Sequence, residues 1–277
     1  MKKSNIIHDL LLFYIPLTLL VAFAVFPYLW TFLTSIKPDT ELYTSTVRYL
    51  PQHPTLKNYV DLFQKSNFVK NMMNSFFVAS VTAVISLFVS VLAAYAFARF
   101  NFKGKIYFMV SFLLINMFPA VLLLIPLFVI MRKIGLLYTP YSLMVAYSTF
   151  TIPFSVWLLT GYIRELPVSL EEAAMVDGCS RIQAFFRITL PLTVPGIVAT
   201  GIYIFITAWN EFVFALMFTN EASRTLPVAL QTFIGQYDIQ WGLLTAGGVI
   251  TTIPVVILFM LVQKKLVEGL TAGAVKG

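Results

Sequence analysis

Long apolar stretches alternate with short polar segments along this chain. A helix needs about 20 mostly apolar residues to cross the hydrocarbon core of a bilayer. Six stretches come close to or exceed that length, and they predict an all-α integral membrane protein with six transmembrane helices in one membrane-spanning domain, residues 1–277. The predicted spans are residues 10–33, 72–98, 106–131, 141–163, 194–218 and 246–263.

The first stretch follows Lys2 and Lys3, a charge pattern that secretory signal peptides share. At residues 10–33 it is longer than the roughly 7–15 apolar residues of a signal peptide. The sequence at its end, PYLWTFLTSIKP, contains no small-x-small cleavage pattern. We therefore expect it to be a retained first span.

Small residues recur at helical spacing within the second stretch. Such residues let two helices approach closely in lipid. The pattern predicts a packed helix face made of Ala79, Ala83, Ser86, Ser90 and Ala94.

Basic residues outside the spans predict the orientation of the chain. With an even number of spans, most of them fall on the side of the two termini, which the positive-inside rule makes cytoplasmic. They are Lys2, Lys3, Arg99, Lys103, Lys105, Arg164, Arg181, Arg187, Lys264 and Lys265. Arg132, Lys133 and five basic residues of segment 34–70 oppose this bias. We expect cytoplasmic termini, with residues 264–277 as a tail.

The composition agrees with a membrane location. Hydrophobic residues make up 59% of the chain and charged residues 11%, whereas a soluble domain carries about 25% charged residues. The net charge of +7 is scattered at span ends, which suits anionic lipid rather than nucleic acid. Cys179 is the single cysteine, and His8 and His53 lie far apart outside the spans. We therefore predict neither an intramolecular disulfide nor a metal site.

The spans contain little that could power transport. Glu211 is the one ionisable residue well inside a predicted span, and a lone carboxylate is a thin basis for a proton relay. With Asn210 it could line a solute path or hold neighbouring helices together. The chain has no G-x-x-x-x-G-K-[ST], G-x-S-x-G or H-E-x-x-H motif. We predict a non-catalytic protein that takes its energy from another protein.

A charged segment, EEAAMVDGCSRIQAFFRITLP at residues 171–191, interrupts the apolar pattern between the fourth and fifth spans. Ser169 and Glu172 have the spacing of a capping box, which predicts a short helix over 170–176. Gly178 can take the positive φ that ends such a helix. Loop 164–193 therefore starts with a capped helix and a glycine bend.

The second half of this loop predicts another short helix. Ser180 and Gln183 form a second capping box, and Pro191 would end the helix. Its apolar face would contain Ile182, Phe185, Phe186 and Thr189. A helix this short is marginal in water, so it should dock on the membrane surface or in a groove of a partner. The acidic residues of the segment favour a partner over anionic lipid.

The segment resembles the EAA loop of permease subunits of ATP-binding-cassette importers. The matching pattern is Glu172-Ala173-Ala174, three residues, Gly178, nine residues, Ile188, one residue and Leu190-Pro191. TSIKP, ARFNFKGK, AWNEF and the terminal LVEGLTAGAVKG resemble the carbohydrate-uptake branch. The resemblance covers essentially the whole chain and is greatest to the smaller permease subunit of maltose/trehalose-type transporters.

This resemblance implies a multi-pass permease of a bacterial or archaeal cell membrane that forms half of the path for a sugar or oligosaccharide. It implies a second homologous permease subunit, two cytoplasmic ATPase subunits that use ATP and Mg²⁺, and an extracytoplasmic solute-binding protein. This chain itself would bind no cofactor.

The resemblance also assigns roles to residues. Glu172 would engage a basic residue of the ATPase, Gly178 would permit the bend, and the tail from Leu266 would reach the same interface. The implied coupling residues are Glu172, Ala173, Ala174, Asp177, Gly178, Arg181, Phe185, Phe186, Ile188, Leu190 and Pro191. In the outer loop 219–245, Gln231, Tyr237 and Trp241 would contact the binding protein.

Three alternatives stay open at this point. In maltose-type systems the larger permease holds most of the sugar, so a sugar contact by Asn210 or Glu211 is undecided. An importer of another solute, such as a polyamine, would carry a similar EAA loop. A self-sufficient channel or secondary carrier would transport without any partner.

Overall fold

The computed structural model describes residues 10–44, 46 and 48–274, without the side chains of Leu10 and of residues 264–274. Lys2, Lys3, His8 and the end of the predicted tail therefore lie outside the described residues. Throughout the described chain the regular structure is helical, and the only β-type contact is an isolated bridge between Ile234 and Ile239. The prediction of an all-α protein is confirmed.

The long helices follow the apolar stretches of the sequence. Proline in the first turn starts α7, where a missing N–H costs nothing, and Leu166 and Pro167 end it. The helices are α1 (Ile15–Ser35, after a π-helical turn Leu10–Tyr14), α2 (Asp39–Leu42), α3 (Lys57–Lys65), α4 (Phe68–Arg99), α5 (Lys105–Met117), α6 (Leu124–Lys133, after a 3₁₀ turn Ala120–Leu123), α7 (Pro140–Glu165), α8 (Val168–Val176), α9 (Arg181–Ala184), α10 (Leu190–Leu192, after a π-helical turn Phe185–Thr189), α11 (Val194–Asn210), α12 (Val213–Phe218), α13 (Leu226–Gln231) and α14 (Trp241–Ala274).

Four helical segments of the described chain are long and apolar enough to cross a bilayer without interruption. They are Leu11–Ser35, Phe68–Arg99, Pro140–Glu165 and Trp241–Gln263. Two further pairs are bent, Lys105–Met117 with Ala120–Lys133 by 99° and Arg181–Leu192 with Val194–Asn210 by 71°. When each bent pair is counted as one span, the described chain contains six.

Two predicted spans are not continuous helices. The third, 106–131, breaks at Phe118, whose backbone is extended (φ −80°, ψ 132°) because it precedes Pro119. The fifth, 194–218, breaks at Glu211, which is also extended (φ −70°, ψ 130°). There the Glu211 carboxylate accepts the first N–H groups of a new helix, α12, and so ends the old one.

The described chain divides into two compact units. The first contains residues up to Val69 and Ala229–Ile253. In it, the Asn58 side chain donates to the carbonyl oxygens of Ser35 and Lys37, both at 2.8 Å. The carboxylate of Glu41 accepts the backbone N–H groups of Gln52 and His53 at 2.9 and 2.8 Å. These contacts tie α3 to the end of α1 and tie α2 to the chain at Gln52 and His53.

The second unit contains Lys70–Val228 and the chain from Pro254 onward. Its interior includes the face of small residues predicted on α4, since Ala79, Ala83, Ser86, Ser90 and Ala94 are all buried. Ser86 Oγ lies 3.1 Å from Thr151 Oγ1 of α7. The prediction that this face packs against another helix is confirmed.

Candidate functional site

The loop between α7 and α11 begins with α8. Pro167 precedes this helix, and no side chain caps its first turn. The predicted capping box of Ser169 with Glu172 is therefore wrong, because the helix starts at Val168 and Ser169 already lies inside it. Fixed at a φ of −56°, Pro167 leads the chain directly into the helix.

Gly178 ends α8 as predicted, with a φ of +93°. The N–H of Gly178 donates to Met175 O at 3.1 Å, and the N–H of Cys179 donates to Ala174 O at 3.0 Å. This pair of bonds is a Schellman motif, whose positive-φ position favours glycine. Gly178 thus produces the bend between the two halves of the loop.

The second half of the loop opens with the predicted capping box. Ser180 Oγ accepts from the N–H of Gln183 at 3.3 Å, and Gln183 Oε1 accepts from the N–H of Ser180 at 2.8 Å. The predicted helix end at Pro191 is wrong, since α10 continues through Leu192 with proline in its first turn. The π-helical turn before it widens the backbone where an α-helical proline ring would clash.

The π-helical turn also divides the apolar face predicted for this half. Phe185 and Thr189 are buried, whereas Ile182 and Phe186 are exposed. Hydrogen bonds of a π-turn run from residue i to i+5, so residues beyond Phe185 leave the 3.6-residue period. The prediction of one continuous face is wrong: the π-turn explains why Phe186 leaves this face, and Ile182, which precedes the turn, is exposed as well.

A buried charge cluster anchors the loop. Glu171 Oε1 lies 2.7 Å from Arg99 Nε at the end of α4, and Thr189 Oγ1 donates to the same oxygen at 2.7 Å. Tyr95 Oη donates to Oε2 at 2.9 Å, and Arg99 Nη2 donates to Leu166 O at 3.0 Å. The side chains of Arg99 and Glu171 are only 6% and 7% exposed. Arg99 thus joins α4 to the start of the loop, while Glu171 joins α4 to its middle and end.

Apolar packing supports this cluster from one side. The rings of Tyr95 and Phe185 lie 4.5 Å apart between centroids. Both belong to a buried cluster with Ala94 of α4 and with Leu159 and Ile163 of α7. The loop is therefore docked on two long helices, as its short elements require.

The pKa of the Glu171 carboxyl is set by two opposed effects. Burial by itself would raise this pKa. Hydrogen bonds from Thr189, Arg99 and Tyr95 outweigh burial and hold the pKa below its ordinary value. Glu171 is therefore ionised at neutral pH.

Acid should weaken the docking of the loop. An unfolded glutamate has a pKa of about 4.3, so a lower folded-state pKa stabilises the fold above about pH 4.3, and this contribution is lost as the pH falls through the folded-state value. Glu171→Gln removes the titrating group. The difference in Tm between wild type and this variant should be constant from about pH 5 to 7 and shrink below about pH 4. Circular dichroism melts in detergent measure it, and a difference that grows towards acid contradicts the assignment.

Most predicted coupling residues lie outside this cluster. Arg181 faces the ring of Phe100 at 5.2 Å, and Phe185 is buried under the loop. Those that are exposed are Glu172, Ala173, Asp177, Gly178, Arg181, Phe186 and Pro191, while Ala174, Ile188 and Leu190 are half-buried. Val176 and Ile182, which were not predicted to couple, are 88% and 71% exposed. The loop thus presents acidic and apolar side chains together.

Glu171, Arg99 and Tyr95 were missed by the sequence reasoning. Glu171 and Glu172 are adjacent residues of the same type, and only Glu172 belongs to the EAA pattern. The partner that distinguishes them, Arg99, lies 72 residues away in the sequence. A basic residue at the end of a neighbouring span was the one available signal.

Asn210 and Glu211 occupy the break between α11 and α12. The Glu211 carboxylate accepts from the N–H groups of Phe214 and Ala215 at 2.9 and 3.0 Å and from Tyr147 Oη at 2.8 Å. Glu211 therefore joins α7 to α12. This agrees with the interpretation in which it holds neighbouring helices together. Asn210 is exposed, and its role in a solute path stays a prediction.

The three residues predicted to contact a binding protein lie in the first unit. Phe233 and Gln240 close a tight turn, in which Gln240 N donates to Phe233 O at 2.9 Å. Tyr237 lies within this turn and is 93% exposed, and Gln231 and Trp241 are also exposed. Within the described residues, no group of three or more His, Cys, Asp or Glu side chains is arranged to hold a metal ion.

The long apolar helices define a multi-spanning membrane protein in which a polar loop between two spans is docked on α4 and α7. The family of inner membrane components of binding-protein-dependent transport systems matches residues 86–271. The chain belongs to this family and is a membrane component of a transport system.

Individual relatives agree with this assignment. The chain is 39% identical to the sulfoquinovosyl glycerol transport system permease protein of Agrobacterium fabrum, over 95% of this chain and 93% of that protein. It is 40% identical to the trehalose/maltose transport system permease protein of Thermococcus litoralis, over 94% of each.

A solved structure agrees in fold. A bacterial ABC transporter that imports the acidic polysaccharide alginate contains a chain that matches with a TM-score of 0.79 and 24% identity. The match covers 91% of this chain and 94% of that one. At this identity, the likeness supports the fold alone.

Proposed function

We propose that this chain is a permease subunit of an ABC importer, and that it forms half of the translocation path for a sugar or oligosaccharide. The relatives named above include permease proteins for trehalose/maltose and for sulfoquinovosyl glycerol. The observation that carries the proposal is the loop over 164–193, which is anchored by Glu171 on one side and presents Glu172, Val176 and Ile182 on the other.

In this proposal, partner subunits supply the energy for transport. The chain has no nucleotide-binding motif, so ATP and Mg²⁺ bind in two ATPase subunits. The exposed residues of the loop supply an acidic group, Glu172, for a basic residue of the ATPase and apolar side chains for its cleft. The excess of basic residues at the same span ends supports a cytoplasmic location for this loop, the termini and the tail.

The proposal also covers the translocation path and the contact with the solute-binding protein. The break at Glu211 leaves the last carbonyl groups of α11 without helical partners, and it falls within the fifth predicted span. Irregular backbone is tolerated there only when it is covered by protein or lines a water-filled cavity. We propose that a second, homologous permease subunit completes this cavity and that the turn around Tyr237 faces the solute-binding protein.

A polyamine substrate is less well supported than a sugar. A path for polyamines needs several free carboxylates, and Glu211 is already engaged by three donors. A neutral sugar needs hydrogen-bonding groups such as the Asn210 amide. A sugar substrate therefore fits a path that is polar but carries little charge.

Affinity purification from mild detergent tests the proposal. The copurifying proteins should include a second permease, an ATPase with a P-loop and a solute-binding protein. Proteoliposomes that contain the whole complex should take up sugar with ATP, and proteoliposomes that contain this chain alone should take up none. Uptake by the chain alone would identify it as a self-sufficient carrier or channel and contradict the proposal.

A further inference from the structure

We infer that Glu171 is a positioning residue that ties the coupling loop to α4, so that displacement of the loop moves this span with it. The inference rests on the proposed function and adds to it the device that carries motion from the loop into the membrane. It assigns different roles to the two adjacent glutamates: Glu172 faces the partner, and Glu171 holds the loop to its own subunit.

The geometry of the carboxylate supports this role. Glu171 receives hydrogen bonds from Arg99 and Tyr95 on α4 and from Thr189 on the π-helical turn. Both oxygen atoms are used, at distances between 2.7 and 2.9 Å. A buried carboxylate held in this way has one position, because any shift breaks charged hydrogen bonds without water to replace them.

Arg99 makes the connection rigid in a second direction. Its Nε binds Glu171 inside α8, while its Nη2 donates to Leu166 O before α8 begins. A planar guanidinium that bridges two points of the loop fixes its angle as well as its distance. Lysine carries its three donors on one nitrogen at the end of a flexible chain, so it lacks the planar geometry of this two-point contact.

The exposed neighbour lacks these contacts. Among the described residues, no side-chain hydrogen bond or ion pair of Glu172 is found, and its side chain is exposed. Without the Glu171 contacts, the loop would keep its exposed residues and the Arg99–Leu166 hydrogen bond, but α8 and the π-helical turn would lose their polar attachment to α4. Motion imposed on the loop would then be taken up by the loop itself.

The test compares Glu171→Gln, Glu172→Gln and Glu165→Gln in the assembled transporter. Glu165 is exposed at the end of α7 and forms no ion pair within the described part of the chain, so its variant is the matched control. In proteoliposomes, the measured quantity is sugar transported per ATP hydrolysed. We expect Glu171→Gln to assemble and hydrolyse ATP but to lower this ratio at least tenfold. Glu172→Gln should weaken assembly with the ATPase. Glu165→Gln should change neither this assembly nor the ratio of sugar transported to ATP hydrolysed.

Two further variants protect the test against misfolding. Tyr95→Phe removes one hydrogen bond but keeps the ring packed on Phe185, and Arg99→Lys keeps the charge but loses the two-point contact. Both should lower the ratio by less than Glu171→Gln does. A misfolded subunit would lower hydrolysis and uptake together and leave their ratio unchanged.

Several results would overturn the inference. One is a transport ratio within twofold of wild type in an assembled Glu171→Gln complex. Another is a proportional loss of hydrolysis and uptake in both Glu171→Gln and Tyr95→Phe, which would make the cluster merely structural. Failure of the proposed function is distinguishable, because the wild-type chain would then not copurify with an ATPase at all.

Discussion

Replacing Gly178 with aspartate should abolish ATP-dependent uptake. The residue has a φ of +93° in the Schellman motif that ends α8, and a side chain forced into such a region costs about 1–3 kcal/mol. That cost lowers the equilibrium constant for forming the native bend by roughly fivefold to more than a hundredfold. The variant also adds a negative charge beside Asp177. Assembly with the ATPase and uptake in proteoliposomes measure the effect.

Gly135 supplies the matched control for Gly178. It has a φ of +73° and closes the same type of motif at the end of α6, with Leu136 N donating to Met131 O at 3.0 Å. A Cβ would meet no atom within 4 Å at either glycine. Gly135→Asp should therefore impose similar strain near the other end of α7 and leave uptake per assembled complex unchanged. Equal loss of uptake in both variants would mean that strain, not coupling, explains the result.

Replacing Glu211 with alanine should destabilise the membrane domain. The change removes the acceptor of Tyr147 Oη and of two N–H groups of α12. Leaving a buried donor unsatisfied costs about 1–3 kcal/mol, so we expect a loss of at least about 2 kcal/mol in unfolding free energy. Denaturant unfolding of the purified protein in mixed micelles measures it.

Asn210→Ala separates stability from transport at the same break. The Asn210 side chain is exposed, so its loss should leave the unfolding free energy within about 0.5 kcal/mol of wild type. If the amide lines the path, the variant should raise KM for the sugar. A Glu211→Ala protein as stable as wild type would contradict the cap assigned to Glu211.

The all-helical fold could be predicted from the apolar stretches because their length matches the bilayer. The breaks within the spans were harder to predict, since each depends on a single residue in a uniformly apolar stretch. Phe118 is extended because Pro119 follows it, and this signal was present in the sequence. Glu211 ends α11 by capping α12, and this requires knowing where its carboxylate points.

The loop was predicted in part of its local features, since the Ser169–Glu172 box and the helix end at Pro191 are wrong, and its long-range contacts were missed. Gly178 and the Ser180–Gln183 box are short-range backbone devices, and both are confirmed. The Glu171–Arg99 pair joins residues of two distant segments, so no periodicity points to it. The π-helical turn that buries Thr189 and exposes Phe186 likewise depends on docking against α4 and α7.

Photo-crosslinking from the loop identifies the protein that drives this subunit. A photoreactive amino acid at Val176, which is 88% exposed, reports what touches the loop in intact cells. We predict an adduct with a P-loop ATPase, identified by mass spectrometry, and a weaker adduct when Glu172 is changed to lysine. An adduct with lipid alone, or with no nucleotide-binding protein, would contradict the claim that ATP-driven motion enters the subunit through this loop.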